Sequence, residues 1–294
     1  MNKLNIISTA AIALIMITAS GCKESYTPIV FEDTTYEDSL TNPAKIYDYQ
    51  TDSYIDGIAK HYFNYKTIKA VKGNKEGVEF INKWLTLEIT GEKLDTTGNA
   101  LTVSEEYSKL EKEGVNDMQS AFKTAAKKWF DEAVEMCKEI PFESGNSYEE
   151  NIEIGYNNGR LLSLVVNGYI YYAGGAHGLP LTQTATFDMT TREALISSDM
   201  VKPEIKPLVL KRLKEWIGEE TWESMDLENM TSHDLPAEPP YFTDKGIVFR
   251  YSAYEAGPYA LGTPEVEINY NDAEPYLTDR VKKLLIDKFP EKDK

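Results

Sequence analysis

The sequence predicts an α+β fold made of two small mixed domains, each an antiparallel sheet packed by helices. Three observations carry this. Strand-like and helix-like stretches come in blocks rather than in strict alternation, a hairpin signal occurs mid-chain at Asn157, Asn158 and Gly159, and a second set of strands follows a second amphipathic helix. The chain has 294 residues, of which 41% are hydrophobic and 27% charged, so it is long enough for two cores and too mixed in composition for disorder or a polytopic membrane protein. Its 31 basic against 48 acidic residues give a net charge of −17, which argues against nucleic acid as a partner.

The elements follow in order. Residues 1–21 hold one basic residue, Lys3, then an apolar run from Ile6 to Ala19 that is shorter than the ~20 residues a bilayer requires; this predicts a signal peptide. Ala19, Ser20 and Gly21 before Cys22 resemble a bacterial lipobox, which predicts acylation of Cys22 and anchorage to a membrane of the cell envelope, the outer membrane or a periplasmic face if the envelope is Gram-negative. Removing residues 1–21 takes away Lys3 and no acid, so the mature charge is 30 − 48 = −18. Cys137 is then the remaining thiol, and its helical setting predicts a small buried hydrophobe.

Residues 22–43, rich in Thr, Asp, Glu, Ser and Pro, read as a flexible tether. Within it, Asp33-Thr34-Thr35 and Asp38-Ser39-Leu40 resemble a short O-glycosylation acceptor. From Ile46 to Val71, His61, Phe63, Tyr65 and Thr67 alternate with Tyr62, Asn64, Lys66 and Ile68, a strand pattern. Val78, Ile81, Trp84, Leu85 and Leu87–Ile89 predict a helix, or a helix running into a short strand, ended by Gly91. Tyr107 and Leu110, then Met118, Phe122, Ala125, Trp129, Ala133 and Cys137, recur at steps of three and four, with a break at Gly114.

Asn151–Tyr156 and Arg160–Ala173 flank the Asn-Asn-Gly turn as a hairpin, and Leu161–Val166, apolar at nearly every position, predicts a strand buried on both faces. Thr182–Met189 is a further strand. Residues 203–218, with Ile205, Leu208, Val209, Leu213, Trp216 and Ile217, form an amphipathic helix; 226–243 read as a proline-bearing loop; 246–254 and 265–270 are strands and 277–289 a terminal helix.

Chemistry is sparse. His61, His177 and His233 lie 116 and 56 residues apart, no CxxC, HExxH or EF-hand pattern occurs, and no glycine-rich phosphate loop is present, so neither metal nor cofactor is expected. The most unusual segment is Gly174-Gly175-Ala176-His177-Gly178, three glycines in five residues directly after a strand. There His177 is either ligand-facing or a loop histidine bonding backbone across a turn; no serine or cysteine nucleophile accompanies it. Eight acids against one base between Lys214 and Glu238 are either a face for a cationic partner or a solvated surface.

The segment LLSLVVNGYIYYAGGAHG, from Leu161 to Gly178, resembles the N-terminal domain of the PdaC peptidoglycan deacetylase family. The segment from Phe242 to Leu277, with Tyr254, Glu255, Pro258, Tyr259, Ala260 and Gly262 in its loop, resembles the domain that follows it, shared with the extracellular part of the RsiV anti-sigma factors. The resemblance divides the chain into a signal peptide at 1–21, the tether at 22–43, a PdaC-like domain at 44–180 and an RsiV-like domain at 181–288. It implies lysozyme as a partner, because the RsiV domain senses it, and argues against deacetylation, because that chemistry belongs to a separate catalytic domain whose His pair is missing here. The expected function is a non-enzymatic, lipid-anchored envelope protein binding lysozyme or peptidoglycan fragments, with contacts at Gly174, Gly175, His177, Gly178, Tyr254, Glu255 and Tyr259. Two rivals remain: an envelope hydrolase using His177 and a carboxylate such as Glu255, and a scaffold of an envelope complex.

Overall fold

The computed structural model describes residues 26–48, 50–91, 99–139, 145–230 and 234–290. The signal peptide, Cys22 and His233 lie outside the described residues. Two sheets organise the chain. The first runs β1 (Val30–Asp48), β2 (Ser53–Lys72), β3 (Ser147–Asn157), β4 (Leu161–Tyr171), β5 (Leu179–Asp188) and β6 (Glu193–Ala194), paired in sequence order. All neighbours are antiparallel except β2 and β3, which are parallel. A parallel pair needs a crossover, and α1 (Lys75–Thr90), α2 (Ala100–Lys112) and α3 (Met118–Glu139) supply it.

Helix boundaries follow local chemistry. Asn74 caps α1 by accepting from the backbone of Glu76 and Gly77, and Gly91 ends it at φ 73. Gly114, at φ 92, separates α2 from α3. The helical stripes bury Ile81, Leu85, Phe122 and Trp129 against the β2 face of Phe63 and Tyr65, forming the first core. Leu161–Val166 is buried at every position, as expected for a strand covered on both faces.

The second unit begins with α4 (Ser197–Met200) and α5 (Lys206–Ile217), then α6 (Glu219–Ser224), α7 (Leu227–Met230), β7 (Tyr241–Phe242), β8 (Gly246–Arg250), β9 (Glu265–Asn269), α8 (Tyr270–Ala273) and α9 (Asp279–Leu284). Strands β7, β8 and β9 form an antiparallel sheet. Its core takes Val209, Leu213, Phe249 and Val266, and also Tyr156, Leu161 and Leu195 from the first unit.

Several expectations need correction. Residues 30–43, read as tether, are strand: β1 pairs with β2 along its whole length but presents mostly exposed side chains, so backbone pairing holds a segment without an apolar stripe. The terminal helix is short, since α9 stops at Leu284 and Leu285 leaves helical geometry at ψ 47. Trp216 leaves the buried stripe of its helix: Ile205, Val209 and Leu213 repeat every four residues into the core, and Trp216, only three further on, is 51% exposed.

Candidate functional site

Two loops from the two units meet beside the end of β4. The first joins β4 to β5. It turns at Gly174, which sits at φ 85, and the Gly175 N–H donates to Tyr172 O at 3.0 Å. At its end the Gly178 N–H donates to the Tyr169 hydroxyl at 3.0 Å, and a Cβ on residue 178 would stand 2.2 Å from Tyr169 Cζ, so the ring can lie here only against glycine.

The second loop joins β8 to β9. Its mouth is closed by Tyr251 N–H to Pro264 O at 2.9 Å, and Tyr259–Leu261 forms a 3₁₀ turn ended by Gly262 at φ 67. Glu255 holds the loop in place: its Oε2 accepts from Ser252 N–H at 2.8 Å and its Oε1 from Ala237 N–H at 2.6 Å. Tyr254, next to this brace, adopts φ 71, which a bulky L-residue rarely visits, and is 56% exposed.

The loops lock through one carbonyl. Gly178 O accepts from the Tyr259 hydroxyl at 2.8 Å and from His177 Nδ1 at 2.9 Å. Because a carbonyl only accepts, Nδ1 carries a proton, and Nε2 lies 3.4 Å from the Tyr254 hydroxyl. The His177 imidazole stacks on the Tyr259 ring with centroids 3.8 Å apart and planes 19° from parallel, and Tyr254 and Tyr259 lie 5.5 Å apart. Burial, then the neighbouring Tyr169 and Tyr254, raises the Tyr259 pKa and keeps its phenol a donor.

The structure thus brings His177, Gly178, Tyr254 and Tyr259 together, with Gly174 and Gly175 shaping the turn and Glu255 behind the loop. Tyr169 belongs to the same cluster and is not among the residues expected from sequence; its register opposite Pro180 in the β4–β5 hairpin was the signal that places it near Gly178. Both Glu255 oxygens are engaged by backbone N–H groups, which suits a brace better than a general acid or base. Among the described residues no three His, Cys, Asp or Glu side chains gather as metal ligands. Cys137 is buried, and burial raises its pKa, so it stays a thiol.

Comparison with known families places these two loops in different modules. Residues 44–180 match the model described as deacetylase PdaC, and residues 194–271 match the one described as a protein of unknown function, DUF3298. The chain has a PdaC-like domain followed by a DUF3298 domain. A solved DUF3298 family member from Bacteroides fragilis superposes with a TM-score of 0.53 at 19% identity, covering 92% of this chain and all (100%) of that one. A DUF3298 family protein from Pseudomonas aeruginosa PAO1 gives a TM-score of 0.55 at 18% identity, covering 87% and 97%. At these identities the likeness establishes the fold. No curated protein matches the sequence. The GGAHG turn closes the PdaC-like domain, and Tyr254 and Tyr259 come from the DUF3298 domain, so the cluster exists only where the two meet.

Proposed function

We propose that this protein is a non-enzymatic binding module of the bacterial envelope, anchored through acylated Cys22, whose contact surface is the loop pair at the domain seam. The observation that carries this is Tyr254: an exposed aromatic ring held in a strained backbone conformation, with His177, Tyr259 and Glu255 all spent on keeping it there. Strain persists only where surrounding contacts impose it, and exposed aromatic anchors on rigid loops are the usual energetic centres of binding surfaces. The partner this reading favours is a strongly basic wall-degrading protein of the lysozyme kind. The mature charge of −18 attracts such a protein at long range, and the resemblance of the C-terminal loop to the RsiV domain points the same way.

The test is calorimetric titration of the mature chain, residues 23–294, with lysozyme at low and physiological salt, then with muropeptides. The expected outcome is saturable lysozyme binding that weakens as salt rises, and that Tyr254→Ala reduces by tenfold or more. Absence of heat with both ligands overturns the reading.

A further inference from the structure

A cleft of about 590 Å³ opens on the same seam, in the size range of about 300–1,000 Å³ usual for small-molecule sites. One wall is β3 and β4 of the PdaC-like domain, the other β7, β8 and the start of β9 of the DUF3298 domain. The bulge in β3 between Ile154 and Tyr156 allows the walls to meet: a Cβ on Gly155 would stand 2.8 Å from Phe242 O, so the two backbones touch at a residue without a side chain. Neither domain alone encloses this space.

Its floor is Arg250, 8% exposed. Arg250 Nη1 donates to Val166 O at 3.4 Å, and Nη2 donates to Asn167 Oδ1. Arg250 Nε lies 3.1 Å from Glu265 Oε1, yet its N–H is not aligned on that oxygen and is buried without a hydrogen bond. Glu265 also takes the Tyr241 hydroxyl, whose pKa is pushed up to about 12 by burial and then by Glu265 itself. At the rim stands Trp216, which the helix core does not use.

These groups select a ligand chemistry. The charged lining is Glu153 and Glu265 against Arg250, a balance of 1 − 2 = −1, which disfavours a free anion. The lining offers both donors and acceptors, in guanidinium, carboxylate, amide and threonine hydroxyl, which suit groups that donate and accept at one atom. An exposed indole offers a flat apolar face. A pyranose ring has both properties, hydroxyls around its edge and an apolar C–H face. Val165 and Asn167, which line the cleft, share their face of β4 with Tyr169 of the Tyr254 cluster.

We infer that the Trp216–Arg250–Glu265 cleft is a binding site for an uncharged oligosaccharide, its ring stacked on Trp216 and its hydroxyls on Arg250, Glu265 and Asn167. This deepens the seam-binding reading and rests on it.

The test uses the mature chain and a β-1,4-linked N-acetylglucosamine tetramer, with an oligogalacturonate tetramer as the anionic comparison. Trp84, Trp129 and Trp222 are buried, so quenching of the tryptophan emission by acrylamide reports chiefly on Trp216. The neutral tetramer is expected to protect Trp216 from quenching saturably. Trp216→Ala, at an exposed position that leaves the fold intact by thermal melting, is expected to weaken binding about tenfold, and Glu265→Gln to weaken it while keeping the emission response. No protection or heat at about 10 mM tetramer, equal binding of the anionic tetramer, or unaltered binding by Trp216→Ala each overturns the inference. If lysozyme still binds in a Tyr254-dependent way, the cleft proposal falls alone; if that binding is also absent, both fall.

Discussion

Tyr254 holds a φ of 71 at a cost of about 1–2 kcal/mol for an L-residue, while glycine there costs about 0.5–1 kcal/mol in lost chain entropy. Tyr254→Gly is therefore expected to stabilise the fold by about 0.5 kcal/mol in chemical denaturation while abolishing ligand binding at the seam. A variant that loses both stability and binding would mean that the ring is structural. The residue scale is also where the sequence was most and least legible. The GGAHG run announces itself because closely spaced glycines after a strand have few other physical reasons. Trp216 does not, because a helix stripe cannot say at which turn the neighbouring element ends. Arg250 was equally hidden, since an arginine at the end of a short strand reads as solvated until a second domain covers it.

At the scale of elements, His61 pins five segments together. Its ring is 0% exposed; Nδ1 accepts from Asn146 N–H at 3.2 Å, so Nε2 carries the proton and donates to Asn42 Oδ1 at 2.6 Å. Asn146 in turn donates from Nδ2 to Ala133 O at 3.4 Å and accepts from Ala173 N–H at 2.7 Å, joining β1, β2, α3, the approach to β3 and the end of β4. Burial lowers the His61 pKa below its ordinary 6.5, and a proton on Nδ1 would face the Asn146 N–H. The unfolded chain therefore takes up the proton first as pH falls. Stability is fully present above about pH 6.5, declines as pH falls toward the folded-state pKa, and is level below it. Urea midpoints from pH 8 to 5 should show this decline in the wild type and a flatter profile in His61→Gln, which starts lower; parallel profiles would rule out His61 as the cause. The alternation that buries His61 was readable because β2 has one face on a core. Its partner β1 was not, because β1 is an edge strand exposed on most positions, and what holds it is backbone pairing that leaves no mark in hydropathy.

For the whole molecule, the strand character of residues 30–43 changes the geometry at a membrane. Tyr26, its ring 4.7 Å from the Arg160 guanidinium, already belongs to the folded body, and the four peptide steps from Cys22 to Tyr26 can span at most about 14 Å. An acylated Cys22 would hold the domains close to the bilayer. The seam also decides how the molecule unfolds. Domains joined by small polar interfaces move and melt separately, but here the second core includes Tyr156, Leu161 and Leu195 of the first unit. Polar links reinforce it: the Phe242 N–H donates to Ser163 Oγ at 3.1 Å, the Tyr156 hydroxyl to Asp287 at 2.6 Å, and Arg280 Nη2 to the buried Asp188 at 3.0 Å. Calorimetry is expected to show one transition with equal calorimetric and van't Hoff enthalpies. Arg280→Ala should lower that transition without splitting it, since it leaves Asp188 buried with its contacts to Thr190 and the Thr191 N–H but no cation; Arg280 is partly exposed, so the cost falls short of the ~3–5 kcal/mol of a fully buried pair. Two resolved transitions in the wild type would show the domains to be independent and would take from the seam the rigidity that both proposed sites require.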